Sequence, residues 1–230
     1  MNKGIIKKIY RSSDIDNIQT KLNQLGLDKK YDAVLFFAIR TITTLILAIV
    51  LFIFYYSKYF IIPFIVILYY YLFYYIFITI PLNKRIKELD KDALAYFEVL
   101  TLCLESGKNL ENSLELTCRN IDNSLSDEFK KCLFETKFGK SLMESLEDLK
   151  KRIPSETVNN IILNMTQTSV FGNSIVDTMN TQVDYLREKQ MLEIKAQINK
   201  IPNKVSIISV LFIVPLILLI ILGPFIIGLL

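Results

Sequence analysis

The side chains in this sequence that are most able to do chemistry are thiols and carboxylates, because the chain contains no histidine. The commonest general base and the commonest metal ligand are therefore missing. The three cysteines, Cys103, Cys118 and Cys132, are odd in number and lack the C-x-x-C spacing typical of metal and redox sites. We predict reduced thiols that pack as small apolar side chains in a cytoplasmic region.

Acidic residues are numerous, but they alternate with lysines along amphipathic segments. This pattern is typical of solvated helix faces with i,i+4 ion pairs, and it does not indicate a catalytic carboxylate pair. The sequence contains no GxxxxGK[ST], GxGxxG or GxSxG motif. A net charge of +4, mixed in sign along the chain, does not indicate nucleic-acid binding. We therefore predict no catalytic, cofactor-binding or metal-binding residues, and a protein that is not an enzyme.

The hydrophobic residues, 52% of the chain, are concentrated in separate segments. Lys58 is the only charged residue between Arg40 and Leu82, and residues 205–230 contain no charge. Uncharged apolar segments of this length indicate membrane spans. We predict two spans joined by a turn at 57–58 and a third span before a short external tail, at about 33–56, 59–81 and 205–222.

Two features of the predicted spans are unusual. Arg40 lies in the first two turns of the first span, where we expect its side chain to reach the lipid head groups. A buried charge in a transport path is the alternative. Tyrosines cluster in the middle of the second span, which indicates packing against another protein span or a bias in composition; they are Tyr69, Tyr70, Tyr71, Tyr74 and Tyr75.

The N-terminal segment, residues 1–32, is basic at its start, but no adjoining apolar region with a cleavage site follows. We therefore expect no signal peptide. A short helix capped by Ser13 or Asp14 carries apolar residues on one face and ends at Gly26. Two interpretations stand: the helix lies on the inner membrane surface, held by anionic lipid, or it packs on the rest of the protein.

One short phrase occurs three times between the second and third predicted spans, and its glycines are spaced by 32 and 33 residues. Each glycine suits the left-handed conformation that ends a helix, and a helix-capping residue follows two positions later. A capping box with a glutamate three residues on is present only in the second copy. Repeats of this length predict stacked helical hairpins. The predicted turn residues are Gly107, Gly139 and Gly172, and the predicted helix caps are Asn109, Ser141 and Ser174.

The block at 82–203 shows helical periodicity and no strand alternation. Its six predicted helices cover about 90–106, 110–120, 124–137, 142–152, 155–171 and 175–201. Phe129, Leu133 and Phe134 are expected on the apolar face of the third helix, and Pro202 is expected to break the last helix. The predicted fold is an all-α membrane protein with an N-terminal transmembrane hairpin, a cytoplasmic six-helix bundle of three hairpins, and a C-terminal transmembrane helix in segment 204–230.

Lysine and arginine are concentrated in the N-terminal segment and the central block. The positive-inside rule then places both in the cytoplasm and the C-terminus outside the cell (inner) membrane.

The runs LCLESGKNLENSL at 102–114 and FGKSLMESL at 138–146, followed by the third glycine phrase, a long helix and a proline-containing apolar segment, resemble the type II secretion system F domain. The resemblance covers the chain from about Asp90 to its end. A hairpin before one such domain and a span after it make the chain most similar to the TadC-like platform proteins of tight-adherence (Flp) pili.

This resemblance implies a non-enzymatic inner-membrane platform protein of pilus assembly or protein secretion. Its cytoplasmic domain would contact a hexameric assembly ATPase and pass the motion of that ATPase to the extraction of pilin from the lipid bilayer. A second platform subunit (TadB-like), or another copy of the chain, would pair with it.

An alternative is a membrane-anchored helical-repeat scaffold that binds peptides, since the glycine spacing is close to the tetratricopeptide period, although the Trp, Gly-Tyr and Pro signature is absent. A transporter or membrane-enzyme subunit is a third class, which the charge-poor spans disfavour.

Overall fold

The computed structural model describes residues 12–26, 32–54, 60, 62–171 and 174–227, and every regular element within these ranges is a helix. A five-residue π-helical segment, Tyr75–Thr79, separates the third and fourth α-helices. The chain divides into two compact units, Met1–Gln182 and Val183–Leu230. The α-helices are α1 (Ser12–Gln24), α2 (Ala33–Phe54), α3 (Ile62–Tyr74), α4 (Ile80–Glu105), α5 (Leu110–Asn120), α6 (Ser124–Lys137), α7 (Leu142–Arg152), α8 (Glu156–Phe171) and α9 (Ile175–Ile227).

Two helical stretches are long and apolar enough to cross a membrane, Ala33–Ile53 and the one that begins at Ile62. They correspond to the first two predicted spans, whose connecting turn at 57–58 lies outside the described residues. The C-terminal apolar helix is shorter, at Ile208–Leu222, so the third span stays a prediction.

The stretch between the second predicted span, which ends at 81, and the first predicted helix of the soluble block is helical, because α3, the π segment and α4 follow one another without a loop. The prediction that the first helix of the soluble block starts near Asp90 is therefore wrong. Pro81 occupies the first turn of α4, where a missing N–H removes no required hydrogen bond within that helix. One helical run, residues 62–105, thus leads from the second apolar span into the helical domain.

The predicted break at Pro202 is also wrong, since α9 is continuous from Ile175 to Ile227 and passes Gly223 and Pro224 as well. A proline inside a helix removes one hydrogen bond and strains the turn before it, at about 3 kcal/mol. In a helix of 53 residues the backbone hydrogen bonds before and after the proline remain. We therefore expect the proline to kink the helix and not to end it.

The core of the helical domain is built around three aromatic rings from α4 and α6, all completely buried. Tyr96 stacks on Phe129 with ring centroids 4.6 Å apart, and Phe97 meets Tyr96 edge-on at 5.5 Å. Phe134, which we expected on the apolar face of α6, is instead 61% exposed. It directly follows buried Leu133, and one residue turns the helix by about 100°, which carries Phe134 off the buried face.

Helix α1 packs on the protein, so of its two interpretations the described contacts support the second. Ile18 and Leu22 are buried in one cluster with residues of the apolar hairpin, namely Ala33, Phe36, Phe37, Phe73 and Ile78. The Gln19 side chain accepts a hydrogen bond from the Ala33 N–H at 2.9 Å, which satisfies one donor at the start of α2. The Lys21 ammonium donates to the Tyr74 hydroxyl at 2.7 Å.

Candidate functional site

The base of α4 is joined to the helical domain by one buried carboxylate. Glu128 on α6 is 5% exposed and accepts hydrogen bonds from Arg85 Nη2 at 2.7 Å and from Lys131 Nζ at 2.8 Å. Arg152 of α7 places its Nε 3.8 Å from the second Glu128 oxygen. A buried charge is strongly disfavoured unless it is paired, so Glu128 fixes the relative positions of α4, α6 and α7.

The network of ion pairs continues along α6 and α7. Glu135 pairs with Arg152 at 2.5 Å and with Lys140 at 3.0 Å, and Lys140 also pairs with Asp148. Burial alone would raise the pKa of Glu135, but hydrogen bonds from Lys140 and Arg152 more than offset it and lower that pKa. Hydrogen bonds from Lys140 and Lys151 lower the pKa of Asp148 to about 2. Both carboxylates therefore stay charged at neutral pH and act as helix-joining groups.

Carboxylates on α4 also hold the starts of two other helices. Asp92 accepts a hydrogen bond from the Ser124 N–H at 3.1 Å, and burial raises the pKa of Asp92. The Ser155 hydroxyl donates a hydrogen bond to Asp90, and its oxygen accepts one from the Val158 N–H at 3.1 Å. Helix α4 thus orients both α6 and α8.

Within the apolar hairpin, Arg40 is buried, contrary to our expectation that it reaches the lipid head groups. Its guanidinium carbon lies 3.5 Å from the ring centroid of Tyr70, and Nη2 donates to the Tyr70 carbonyl at 3.0 Å. The cation–π contact and the hydrogen bond replace the water that would otherwise solvate the guanidinium. They explain how Arg40 can be only 6% exposed. Part of the tyrosine cluster therefore serves the chain's own hairpin, whereas Tyr71 and Tyr75 are exposed.

The first two glycine phrases form tight turns. Gly107 and Gly139 have φ values of +82° and +93°, a left-handed conformation that favours glycine. Gly172 lies outside the described residues.

Each predicted helix cap accepts a backbone N–H bond from the residue three positions later. The Asn109 side chain accepts from Asn112 at 2.9 Å, and Ser174 accepts from Asp177 at 3.3 Å. Ser141 and Glu144 make the reciprocal pair of bonds of a capping box.

Side-chain contacts bring the first two turns and the start of α9 to one end of the domain, which we call the turn end. Thr136, near the second turn, donates to Glu111 after the first turn, at 3.4 Å. Asn180, near the start of α9, donates to Glu105 before the first turn, at 3.1 Å. The base of α4 with Arg85 lies at the opposite end of that helix, next to the apolar span.

An exposed aromatic pair marks the turn end. Phe134 and Phe138 have ring centroids 4.7 Å apart and are 61% and 75% exposed. Neighbouring exposed aromatic rings on a charged surface are typical of a protein interaction site.

The cysteines do not form a reactive site. Cys118 and Cys132 are buried, and Cys103 is partly exposed. Burial raises the pKa of Cys132 to about 12 and also raises that of Cys118, whose sulfur lies 3.4 Å from the Tyr96 hydroxyl. Among the described residues, no group of three or more His, Cys, Asp or Glu is placed to hold a metal ion.

Within the described residues, the chain is helical, two of its helices are long and apolar enough to cross a membrane, and its paired charged side chains join helices to one another. The family model described as "Type II secretion system (T2SS), protein F" matches residues 96–223, more than half of the chain. No curated protein and no solved structure gives a significant match. The chain therefore belongs to the type II secretion system protein F family.

This membership defines the general role of the chain. Members of the family are non-catalytic membrane platform proteins of secretion and pilus systems, and they generally interact with secretion ATPases and other platform subunits. Family and apolar helices together indicate an inner-membrane protein.

Proposed function

We propose that this protein is a TadC-like platform subunit of a tight-adherence (Flp) pilus or type II secretion machine. In this role it couples a cytoplasmic hexameric ATPase to the extraction of pilin from the membrane and to filament assembly. The observation that carries the proposal is the unbroken helical run from Ile62 to Glu105, which enters the domain directly from an apolar span. Arg85 on α4 pairs with Glu128 on α6, so a force on the domain is passed to α4. Because α4 continues into the second span without a loop, the force then reaches that span.

The proposed topology has the N-terminal segment and the helical F domain, residues 82–203, in the cytoplasm. The C-terminal apolar part of α9 forms a third span in this arrangement, with its end outside. The distribution of lysine and arginine supports this orientation, because cytoplasmic segments next to spans carry an excess of both.

The proposed partners bind at different ends of the domain. The turn end is remote along α4 from the second span, so a soluble ATPase can reach it, and Phe134 and Phe138 supply exposed apolar area there. A second platform subunit, or another copy of this chain, packs against the exposed Tyr71 and Tyr75 face of the hairpin. Pilin approaches from the bilayer.

The test is affinity purification of the tagged full-length protein from gently solubilised native membranes, with bound proteins identified by mass spectrometry. The proposal predicts recovery of a secretion-type ATPase and a second platform protein. Replacement of Phe138 by Ser should reduce recovery of the ATPase and leave recovery of the platform protein unchanged. Lys108→Gln, at an exposed residue near the first turn, is the matched control. Recovery of unrelated soluble proteins in place of both partners would contradict the coupling role and favour the helical-repeat scaffold.

A further inference from the structure

A groove of about 460 Å³, most of whose lining residues are charged, lies at the base of α4. Leu25, which follows α1, and Pro81 line the groove on the side of the apolar hairpin, and Ser124 at the start of α6 lines it as well. Its volume lies within the range of small-molecule sites, roughly 300–1,000 Å³. Because the second apolar span leads directly into α4, the groove lies where that span meets the cytoplasmic domain.

The charges that line the groove balance. Three cationic and three anionic side chains contribute to it, and two of the cations, Arg85 and Lys131, already pair with Glu128. Lys84 is exposed and makes no ion pair with any residue that the structure describes. Lys84 is therefore available to an anionic group of a ligand.

The two other carboxylates of the groove keep acceptor capacity. Glu88 accepts one hydrogen bond, from the Ser124 hydroxyl at 2.6 Å, and Asp127 pairs with the exposed Lys130 at 3.1 Å. An ionised carboxylate accepts about four hydrogen bonds, so both can bind an additional N–H donor.

We propose that this groove binds the phosphoethanolamine head group of a membrane phospholipid. Its phosphate lies against Lys84 and Lys131, and its ammonium donates to Glu88 and Asp127. A glycerol phosphate head group brings no cation to these two carboxylates, and phosphocholine carries a cation with no N–H to donate. The bound lipid holds the base of α4 at the membrane surface.

The test is native mass spectrometry of the full-length protein in detergent, incubated with equal amounts of phosphatidylethanolamine, phosphatidylcholine and phosphatidylglycerol that share the same acyl chains. We expect phosphatidylethanolamine to be retained at least about tenfold over the other two, the ratio that corresponds to one charge-assisted hydrogen bond. Lys84→Gln should lower this retention by a similar factor. Asp127→Asn should reduce the preference for phosphatidylethanolamine over phosphatidylglycerol.

Lys87→Gln, at an exposed lysine on the same helix that does not line the groove, is the matched control and should bind as the unaltered protein does. Far-UV circular dichroism of each variant checks that the helices are intact. Equal retention of the three lipids, a preference for phosphatidylglycerol, or equal binding by the Lys84 and Lys87 variants would overturn the proposal. The inference rests on the proposed placement of the second span, which ends at Pro81, in the membrane. The lipid-binding experiment contains no ATPase, so a failure to retain phosphatidylethanolamine is distinguishable from a failure to recover an ATPase in the affinity purification.

Discussion

Replacement of Glu128 by Gln tests whether the buried carboxylate joins α4 to α6 and α7. The change keeps the side-chain volume but removes the charge that pairs with Arg85 and Lys131. Arg85 is 20% exposed and loses its ionic partner, whereas Lys131 is 59% exposed and is readily solvated. Complete disruption of a buried pair costs about 3–5 kcal/mol, and a hydrogen bond to a charged group contributes about 1.5–3 kcal/mol. We therefore expect a loss of about 2–3 kcal/mol in the free energy of unfolding.

The matched control is Glu147→Gln, because Glu147 is 54% exposed and pairs within α7, with Lys150 at 3.1 Å. A surface pair of this kind contributes about 0.2–1 kcal/mol. Thermal unfolding in detergent, followed by circular dichroism, should show a Tm lower by roughly 4–12 °C for the Glu128 variant and by less than about 4 °C for the control. Equal shifts in the two variants would refute the assignment of Glu128 as the residue that joins the helices.

Three further predictions concern pH, a turn and the thiols. Because the folded pKa values of Glu135 and Asp148 are lowered, their contribution to stability is present above the unfolded values of 4.5 and 3.8. The free energy of unfolding, measured with urea, should therefore decrease as the pH falls toward about 2, the folded pKa of Asp148. Gly107→Ala should destabilise by about 1–2 kcal/mol, measured by urea unfolding, because no atom lies within 4 Å of the added Cβ and only backbone strain opposes it. Maleimide should label Cys103 at pH 7.5 far faster than Cys132, as measured by peptide mass spectrometry, because Cys132 is buried.

Each of these predictions has a clear contrary result. Stability that is constant between pH 5 and pH 2 would show that the two carboxylates do not form the pairs described. A neutral Gly107→Ala variant would contradict the left-handed turn, and Lys108→Gln provides its neutral control. Equal labelling of the thiols in the folded protein would contradict the burial of Cys132.

Local signals in the sequence were sufficient to predict several helix boundaries. The predicted segments 110–120, 124–137 and 142–152 coincide with α5, α6 and α7. Their ends depend on capping residues and turn glycines close in sequence, so the physical cause is local.

The failures occurred where tertiary contacts or neighbouring turns compensate for a locally unfavourable residue. Pro202 was expected to interrupt a helix, but it lies within a very long one. The first helix of the soluble block was expected to start near Asp90, but α4 starts at Ile80 with Pro81 in its first turn. Arg40 was expected at the head groups because its partner, Tyr70, belongs to a different helix and no local pattern links the two. The contact between them is a property of the folded hairpin.

The role of Glu128 was also missed, although the sequence carried a signal. Glu128 lies beside Leu125, Phe129 and Cys132, which share the buried face of α6 at helical spacing. A charged residue on such a face requires a partner. The partner, Arg85, is 43 residues earlier in the chain, so only the fold identifies it.

The central claim is that the turn end contacts the assembly ATPase while the hairpin remains among membrane proteins. The most direct measurement is photo-crosslinking in cells that assemble the filament, with a photoreactive phenylalanine analogue in place of Phe138 and, separately, in place of Tyr71. We expect the analogue at position 138 to form an adduct with the ATPase and the one at position 71 to form adducts with membrane proteins only. Absence of an ATPase adduct at position 138 in filament-forming cells, or its appearance at position 71, would contradict the account.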